Sequence, residues 1–246
     1  MGLARKPKSS LAARVLPTQL YTALTHVFTQ GISGCMLAGG TALAGYYAGH
    51  RRSEDLDLFT EDAPAQQGAV LAVKSLRDIG AAFADERTSA HFYHATCHLD
   101  GHDFTSQVVL DPHLFEVGSE IEADDGVVVA DLKTLLKMKA ATLVSRGAEK
   151  DLYDLVWLFE QDRALDVPAL LALGSEIDAG MNAEALLINL VGTELRESAC
   201  DFSLTEEAKD VFIKVTRLRA AVIQGLDSFL RGQPPPPIAA LIRKLE

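Results

Sequence analysis

Gly39, Gly40 and Thr41 form a compact turn, and fourteen residues beyond Thr41 two aspartates stand one residue apart, Asp55 and Asp57, within the apolar run Leu56, Leu58 and Phe59. On a strand, side chains at i and i+2 share a face, so these carboxylates project side by side, roughly 6 to 7 Å apart. Two such charges repel unless one is protonated or a cation intervenes. A divalent ion such as Mg²⁺, which prefers carboxylate oxygens together with substrate phosphates, removes the conflict. A glycine turn offers backbone N–H groups that phosphate oxygens can approach closely. Phosphate cradle and metal-binding aspartate pair together describe a site for a nucleoside triphosphate.

The residues around this pair carry a family likeness. Gly39-Gly40-Thr41-Ala42-Leu43, then His50-Arg51 and Ser53-x-Asp55-Leu56-Asp57-Leu58-Phe59, resembles the AbiEii/AbiGii toxin family of the polymerase-β-like nucleotidyltransferases. A second stretch, Lys139, Arg146 and Lys150-Asp151-x-Tyr153-Asp154-Leu155, looks like the second signature of that family. The resemblance implies that Asp55 and Asp57 hold two Mg²⁺ ions, with Mn²⁺ as a substitute. It implies that Gly39, Gly40, Thr41, Arg51, Ser53 and Lys139 receive the nucleotide, and that Asp151 or Asp154 lies in the active site, orienting the lysine or acting as base. It further implies transfer of a nucleoside monophosphate from an NTP to an acceptor such as tRNA or another RNA. The same kinship implies the toxin of a toxin–antitoxin or phage-defence pair, with an antitoxin encoded by a neighbouring gene.

These residues need elements to position them. Cys35–Ala38 reads as a short buried strand entering the glycine turn, 41–48 as a helix whose N-terminus faces that turn, and 55–59 as the aspartate strand. A helix is expected over 11–30, and another around Val70, Leu71, Val73, Leu76 and Ile79, closed by Gly80. Asp100-Gly101 predicts a type I′ hairpin within 91–110, setting His98 opposite Asp103, Thr96 opposite Thr105 and His94 opposite Gln107. From Asp131, a plausible N-cap, the chain reads as helical as far as Gly232-Gln-Pro-Pro-Pro-Pro237, a stiff extended spacer. On helix 131–145, Lys139 falls within the apolar stripe Leu135, Leu136 and Leu143, so its ammonium needs either an ion pair, a snorkelling stem or a phosphate. The expected class is α+β, a small mixed sheet flanked by helices over 1–128 followed by a helical lobe over 129–246.

Composition narrows the setting. The 246 residues are 48% apolar, enough for one good core and two lobes. Apolar runs fall short of the roughly 20 residues that span a bilayer, and the basic N-terminal stretch lacks the apolar core of a secretory signal. Three scattered cysteines suit reduced thiols in a cytoplasm. A net charge of −11 argues against broad non-specific nucleic-acid binding, while a local basic patch still admits RNA.

Two questions stay open at this level. A third carboxylate beside the pair would be expected near Thr105 to Gln107, where no acid stands; Asp103 and Asp111 are the nearest candidates. Without it, a nucleotide-binding protein with weak or no catalysis is the alternative, and a small-molecule, aminoglycoside-like nucleotidyltransferase is another. The histidines His91, His94, His98 and His102 with Cys97 divide between two strand faces and show no zinc spacing, which favours an ordinary polar strand surface.

Overall fold

The computed structural model describes residues 3–245. They fall into two compact units, Arg5–Leu135 and the remainder from Leu136 onward together with the first few residues. The first unit is α+β and the second is built of helices, as the patterning predicts.

The α+β unit holds, among the described residues, one seven-stranded mixed sheet in the order β3-β4-β5-β2-β1-β7-β6. Its strands are β1 (Cys35–Leu37), β2 (Asp55–Thr60), β3 (Ala82–Thr88), β4 (Phe92–Leu99), β5 (His102–Leu110), β6 (Glu120–Glu122) and β7 (Val128–Ala130). β2 lies between β5, to which it is parallel, and β1, to which it is antiparallel. One sheet face is closed. Leu56, Leu58, Tyr93, Ala95, Cys97 and Val108 are fully buried on it, the two leucines and the valine each contributing about 1.5–3 kcal/mol relative to exposure. Helix α4 (Ala63–Lys74), capped by Asp62 through the Ala65 amide at 2.8 Å, covers this face with Ala69, Ala72 and Val73. The opposite face carries Asp55 and Asp57, because period-2 alternation that buries Leu56 and Leu58 must turn their neighbours outward.

The β4–β5 hairpin has the predicted register: Asp100 and Gly101 take φ values of 47° and 80°, as a type I′ turn requires. His98 opposes Asp103, Thr96 opposes Thr105 and His94 opposes Gln107.

Elsewhere the structure corrects the sequence reading. The helix expected over 11–30 is two, α1 (Ser9–Val15) and α2 (Thr18–Thr29), because Pro17 supplies no amide and favours an extended predecessor. The helix expected over 41–48 starts at Gly39 as the single turn α3 (Gly39–Thr41) and continues as a π-helix over Ala42–Ala48. Gly49, left-handed with φ 64°, closes it by donating to the Ala44 carbonyl at 2.8 Å. A side chain at Gly45 would meet Leu16 at 3.0 Å, so α1 packs directly on this backbone. The helix over Leu76–Ile79 is 3₁₀ beyond Lys74, and Gly80 closes it at φ 95°. Strands β3, β6 and β7 and the short helix α5 (Pro112–Val117) were not foreseen.

Helix α6 (Leu132–Thr142) begins in the first unit and continues into the helical one, which also contains α7 (Glu149–Gln161), α8 (Val167–Ser175), α9 (Ala183–Gly192), α10 (Ala208–Leu230) and α11 (Ile238–Lys244). Asp131 caps α6 through the Thr134 amide at 2.7 Å, as expected, although the helix ends at Thr142 rather than Ser145. Helix α10 packs against α7, α8, α9 and α11. Among the described residues no helix is long and apolar enough to cross a membrane.

Candidate nucleotide and metal site

The two glycines of the turn are required by contact. At Gly39, φ is +66°, which costs an L-residue about 1–2 kcal/mol, and a Cβ there would stand 2.2 Å from Asp57 Oδ2. At Gly40, a Cβ would stand 2.6 Å from Arg51 Nη2 and 3.0 Å from Ser53 Oγ. The turn is thus pressed against Asp57 on one side and against a buried guanidinium and hydroxyl on the other. Arg51 and Ser53 are each 4% exposed. Arg51 Nη1 donates to the Arg52 carbonyl at 2.9 Å, which holds the guanidinium behind the turn. A fixed positive charge behind backbone amides at the start of a helix favours an anion in front of them.

Thr41 has a different task from the one its place in the motif suggests. It is fully buried, its hydroxyl lies 2.9 Å from Ser53 Oγ, and it donates to the Asp55 carbonyl. The Ala38 amide donates to the Asp57 carbonyl at 2.9 Å. Both ends of the glycine turn are therefore stitched to the aspartate strand, fixing the carboxylates relative to the amides.

Asp55 is exposed and Asp57 half-buried, both on the open face of β2. Thr105 Oγ1 donates to Asp55 Oδ1 at 2.5 Å. The parallel register sets Thr105 beside Asp55 and Gln107 beside Asp57, so the positions where a third carboxylate was sought hold a hydroxyl and a carboxamide. The other two candidates are engaged elsewhere. Asp103 pairs with His98 Nδ1 at 2.6 Å near the hairpin turn, and Asp111 caps α5 through the Leu114 amide at 3.0 Å. Among the described residues no group of three or more His, Cys, Asp or Glu side chains is placed to enclose a metal ion. Two carboxylates with neutral oxygen donors beside them fit an ion that completes its octahedron with water and substrate phosphates, as Mg²⁺ does, rather than one held in an all-protein cage.

Lys139, Asp151 and Asp154 form a second cluster, inside the helical unit. Lys139 Nζ lies 2.8 Å from Asp151 Oδ1 and 2.7 Å from Asp154 Oδ2, and its side chain is 8% exposed. Arg146 Nε reaches Asp151 Oδ2 at 3.0 Å. The two aspartates, at i and i+3 on α7, share one face as the spacing predicts, and the inward lysine of α6 is matched by carboxylates rather than left unpaired. The structure thus gathers Gly39, Gly40, Thr41, Arg51, Ser53, Asp55 and Asp57 in one constellation and Lys139, Asp151 and Asp154 in another. Thr105 and Gln107 flank the aspartates through non-local pairing alone, which no local pattern announces.

A sequence model described as the nucleotidyl transferase AbiEii toxin of type IV toxin–antitoxin systems matches residues 23–236. An uncharacterized protein of Aquifex aeolicus is 31% identical over 160 residues, 64% of this chain and 73% of its own length. Among solved structures, the nucleotidyltransferase toxin MenT4 of Mycobacterium tuberculosis superposes with a TM-score of 0.54 over 97% of this chain and 99% of its own, at 15% identity. JHP933 of Helicobacter pylori does so with a TM-score of 0.51 over 92% and 97%, also at 15% identity. These two share the fold; the match over residues 23–236 shows that the chain belongs to the AbiEii family of nucleotidyltransferase toxins.

Proposed function

We propose that this nucleotidyltransferase moves a nucleoside monophosphate from an NTP to an RNA acceptor, tRNA among the candidates, in a reaction that depends on Mg²⁺ and accepts Mn²⁺. The observation that carries the proposal is the contact of Asp57 with a glycine turn backed by a buried arginine, which brings a carboxylate pair and an anion site together. Asp55 and Asp57 would hold the metal. When bound, Mg²⁺ supplies charge neutralisation at the phosphates and acidifies the attacking hydroxyl. The amides of Gly39 and Gly40 bind phosphate oxygens, with the Arg51 guanidinium stabilising negative charge from behind. Thr41 and Ser53 position the turn, and Thr105 holds the Asp55 carboxylate in one rotamer. For Lys139 we propose that Asp151 and Asp154 fix its ammonium in one orientation.

The toxin role supplies a partner class: an antitoxin that counters the transferase, encoded next to it. Incubation with Mg²⁺, each labelled NTP and total RNA tests the chemistry. Label should enter RNA with the unaltered protein and fall by several orders of magnitude in Asp55→Ala and Asp57→Ala. Equal transfer by the double variant refutes the assignment of the pair. Metal binding is read separately, by Mn²⁺ electron spin resonance, which should show bound ion lost in the same variants.

A further inference from the structure

Four consecutive prolines, Pro234 to Pro237, link α10 to α11, and their conformation is dictated locally. Each ring fixes φ near −65°, and a residue that precedes proline is driven to ψ of about +120 to +160°. Gln233, Pro234, Pro235 and Pro236 all precede a proline, so the run takes the polyproline II helix, with about three residues per turn. Pro237 keeps it, with φ −53° and ψ 141°.

Both ends of the run are anchored. Gly232, left-handed at φ 72°, donates to the Phe229 carbonyl at 2.9 Å, and the Gln233 amide donates to the Ser228 carbonyl at 3.0 Å. This pair of bonds is the Schellman cap, which fixes where the chain leaves α10. At the other end the Ile238 amide donates to the Leu165 carbonyl at 2.9 Å, and the Pro237 carbonyl accepts from the Leu241 amide at 3.2 Å.

A stiff link needs no outward edge, yet this one has an edge. Pro234 and Pro237, one turn apart, are exposed, whereas Pro235 and Pro236 between them are half-buried. Arg231, three residues before Pro234, is 69% exposed, and its pair with Asp227 at 2.9 Å is a weak surface contact. Beyond Pro237, Ala239 helps to line a cavity of about 270 Å³ with Phe159 and Ile242, edged by Arg163, Arg243 and Glu160. Three guanidinium groups thus accompany the proline edge in a chain whose net charge is −11.

We propose that Pro234 and Pro237 form a docking ridge for a protein domain whose groove is lined by aromatic rings and edged with carboxylates. The backbone selects that partner. Prolines offer no N–H, so no strand can pair along the run, which only accepts hydrogen bonds. Tyr hydroxyls and Trp indoles donate such bonds beside the ring faces that seat proline. The ridge already has its bound shape, so docking orders little of this chain. Carboxylates at the groove's rim meet Arg231, Arg163 and Arg243.

The test is calorimetric titration of the full chain with two purified proline-reading domains with acidic rims, one SH3 and one WW. At least one should bind, and Pro234→Ala and Pro237→Ala should each weaken that binding about tenfold. Pro235→Ala and Pro236→Ala, on the inward side, should weaken it by about twofold or less. Arg231→Ala should weaken it about threefold at low salt and less at high salt. An unchanged thermal midpoint shows that the variants are folded. The proposal is overturned if neither domain binds the unaltered chain, or if all four prolines matter equally, since stiffness rather than the ridge would then be at work. A dimer of this chain that Pro234→Ala and Pro237→Ala together dissolve would also overturn it, because a second copy would then cover the ridge. These readouts involve neither NTP nor RNA, so they stand or fall apart from the nucleotidyl-transfer reading.

Discussion

Replacing Gly39 with alanine separates backbone strain from displacement of a carboxylate. Gly39 and Gly31 share a left-handed backbone, with φ of +66° and +69°, but a Cβ at Gly31 meets nothing within 4 Å. Gly31→Ala therefore reports strain alone, about 1–2 kcal/mol, or a fall in Tm of roughly 3–10 °C for a unit of this size. Gly68, half-buried within α4 with open space where a Cβ would stand, should gain about 0.5–1 kcal/mol on becoming alanine. Gly39→Ala carries the same strain as Gly31→Ala and one further effect. Its methyl would sit 2.2 Å from Asp57 Oδ2, so the carboxylate must retreat by about 1 Å to reach ordinary contact distance. A misplacement of about 1 Å at reacting groups costs about 100-fold in rate, near 2.7 kcal/mol of barrier. Thermal unfolding and label transfer from NTP to RNA, run on all three variants, should show similar Tm losses for Gly31→Ala and Gly39→Ala. Transfer should collapse only in Gly39→Ala. If it transfers label as fast as Gly31→Ala, then either Asp57 is not held by this contact or its position does not govern the reaction, and the site as derived is wrong.

Other perturbations follow from the same geometry. Lys139→Met leaves Asp151 and Asp154 buried without the ammonium they share and should cost about 3–5 kcal/mol by urea denaturation. Adding Asp151→Leu and Asp154→Leu to it should recover most of that loss, and a single variant as stable as the original would disprove the cluster's structural weight. Burial pushes the Cys35 and Cys97 thiols up to about 12, so above pH 9 the unfolded chain releases thiol protons that the folded chain keeps. Stability is full below that pH and should fall by about 1.4 kcal/mol per pH unit for each thiol as pH rises towards 12. A flat urea midpoint from about pH 9 to pH 11 would contradict the burial argument. Asp111→Ala removes a helix cap and should lower stability by about 1 kcal/mol while leaving label transfer unchanged; a collapse of transfer would restore Asp111 as a third carboxylate.

Much of the site's unit was legible because its devices are local. The Asp100-Gly101 turn sets the register of sixteen strand residues through two positive φ values, and alternation in β2 decides which face the aspartates take. What escaped the sequence has physical reasons. Apolar periodicity runs on across Pro17, so the break between α1 and α2 is hidden beneath a continuous pattern. Strands β6 and β7 are three residues each, too short for a period to register. β3 is an edge strand with almost every side chain exposed, so burial imposes no alternation on it, and its bulge leaves no pattern to break. A π-helix differs from an α-helix in hydrogen-bond reach, not in residue type; the close seat of Leu16 against Gly45 becomes visible only when α1 is in place.

Thr41 shows why a motif's residue types and its contacts must be argued separately. Beside two glycines ahead of a carboxylate strand, a threonine hydroxyl looks placed for phosphate. Yet a group that is fully buried and bonded to the Asp55 carbonyl has no lone approach to offer a ligand. Its work is to hold the strand against the turn. That work explains the spacing: the π-helix and the loop carrying Arg51 and Ser53 must leave the turn and return antiparallel to β1 so that Asp57 meets Gly39. The same return brings Arg51 behind Gly40 and Ser53 against Thr41. The fourteen-residue step from the threonine to the first aspartate is thus the length of a closed circuit. An insertion anywhere in it would separate the carboxylates from the amides while leaving both motifs intact in the sequence.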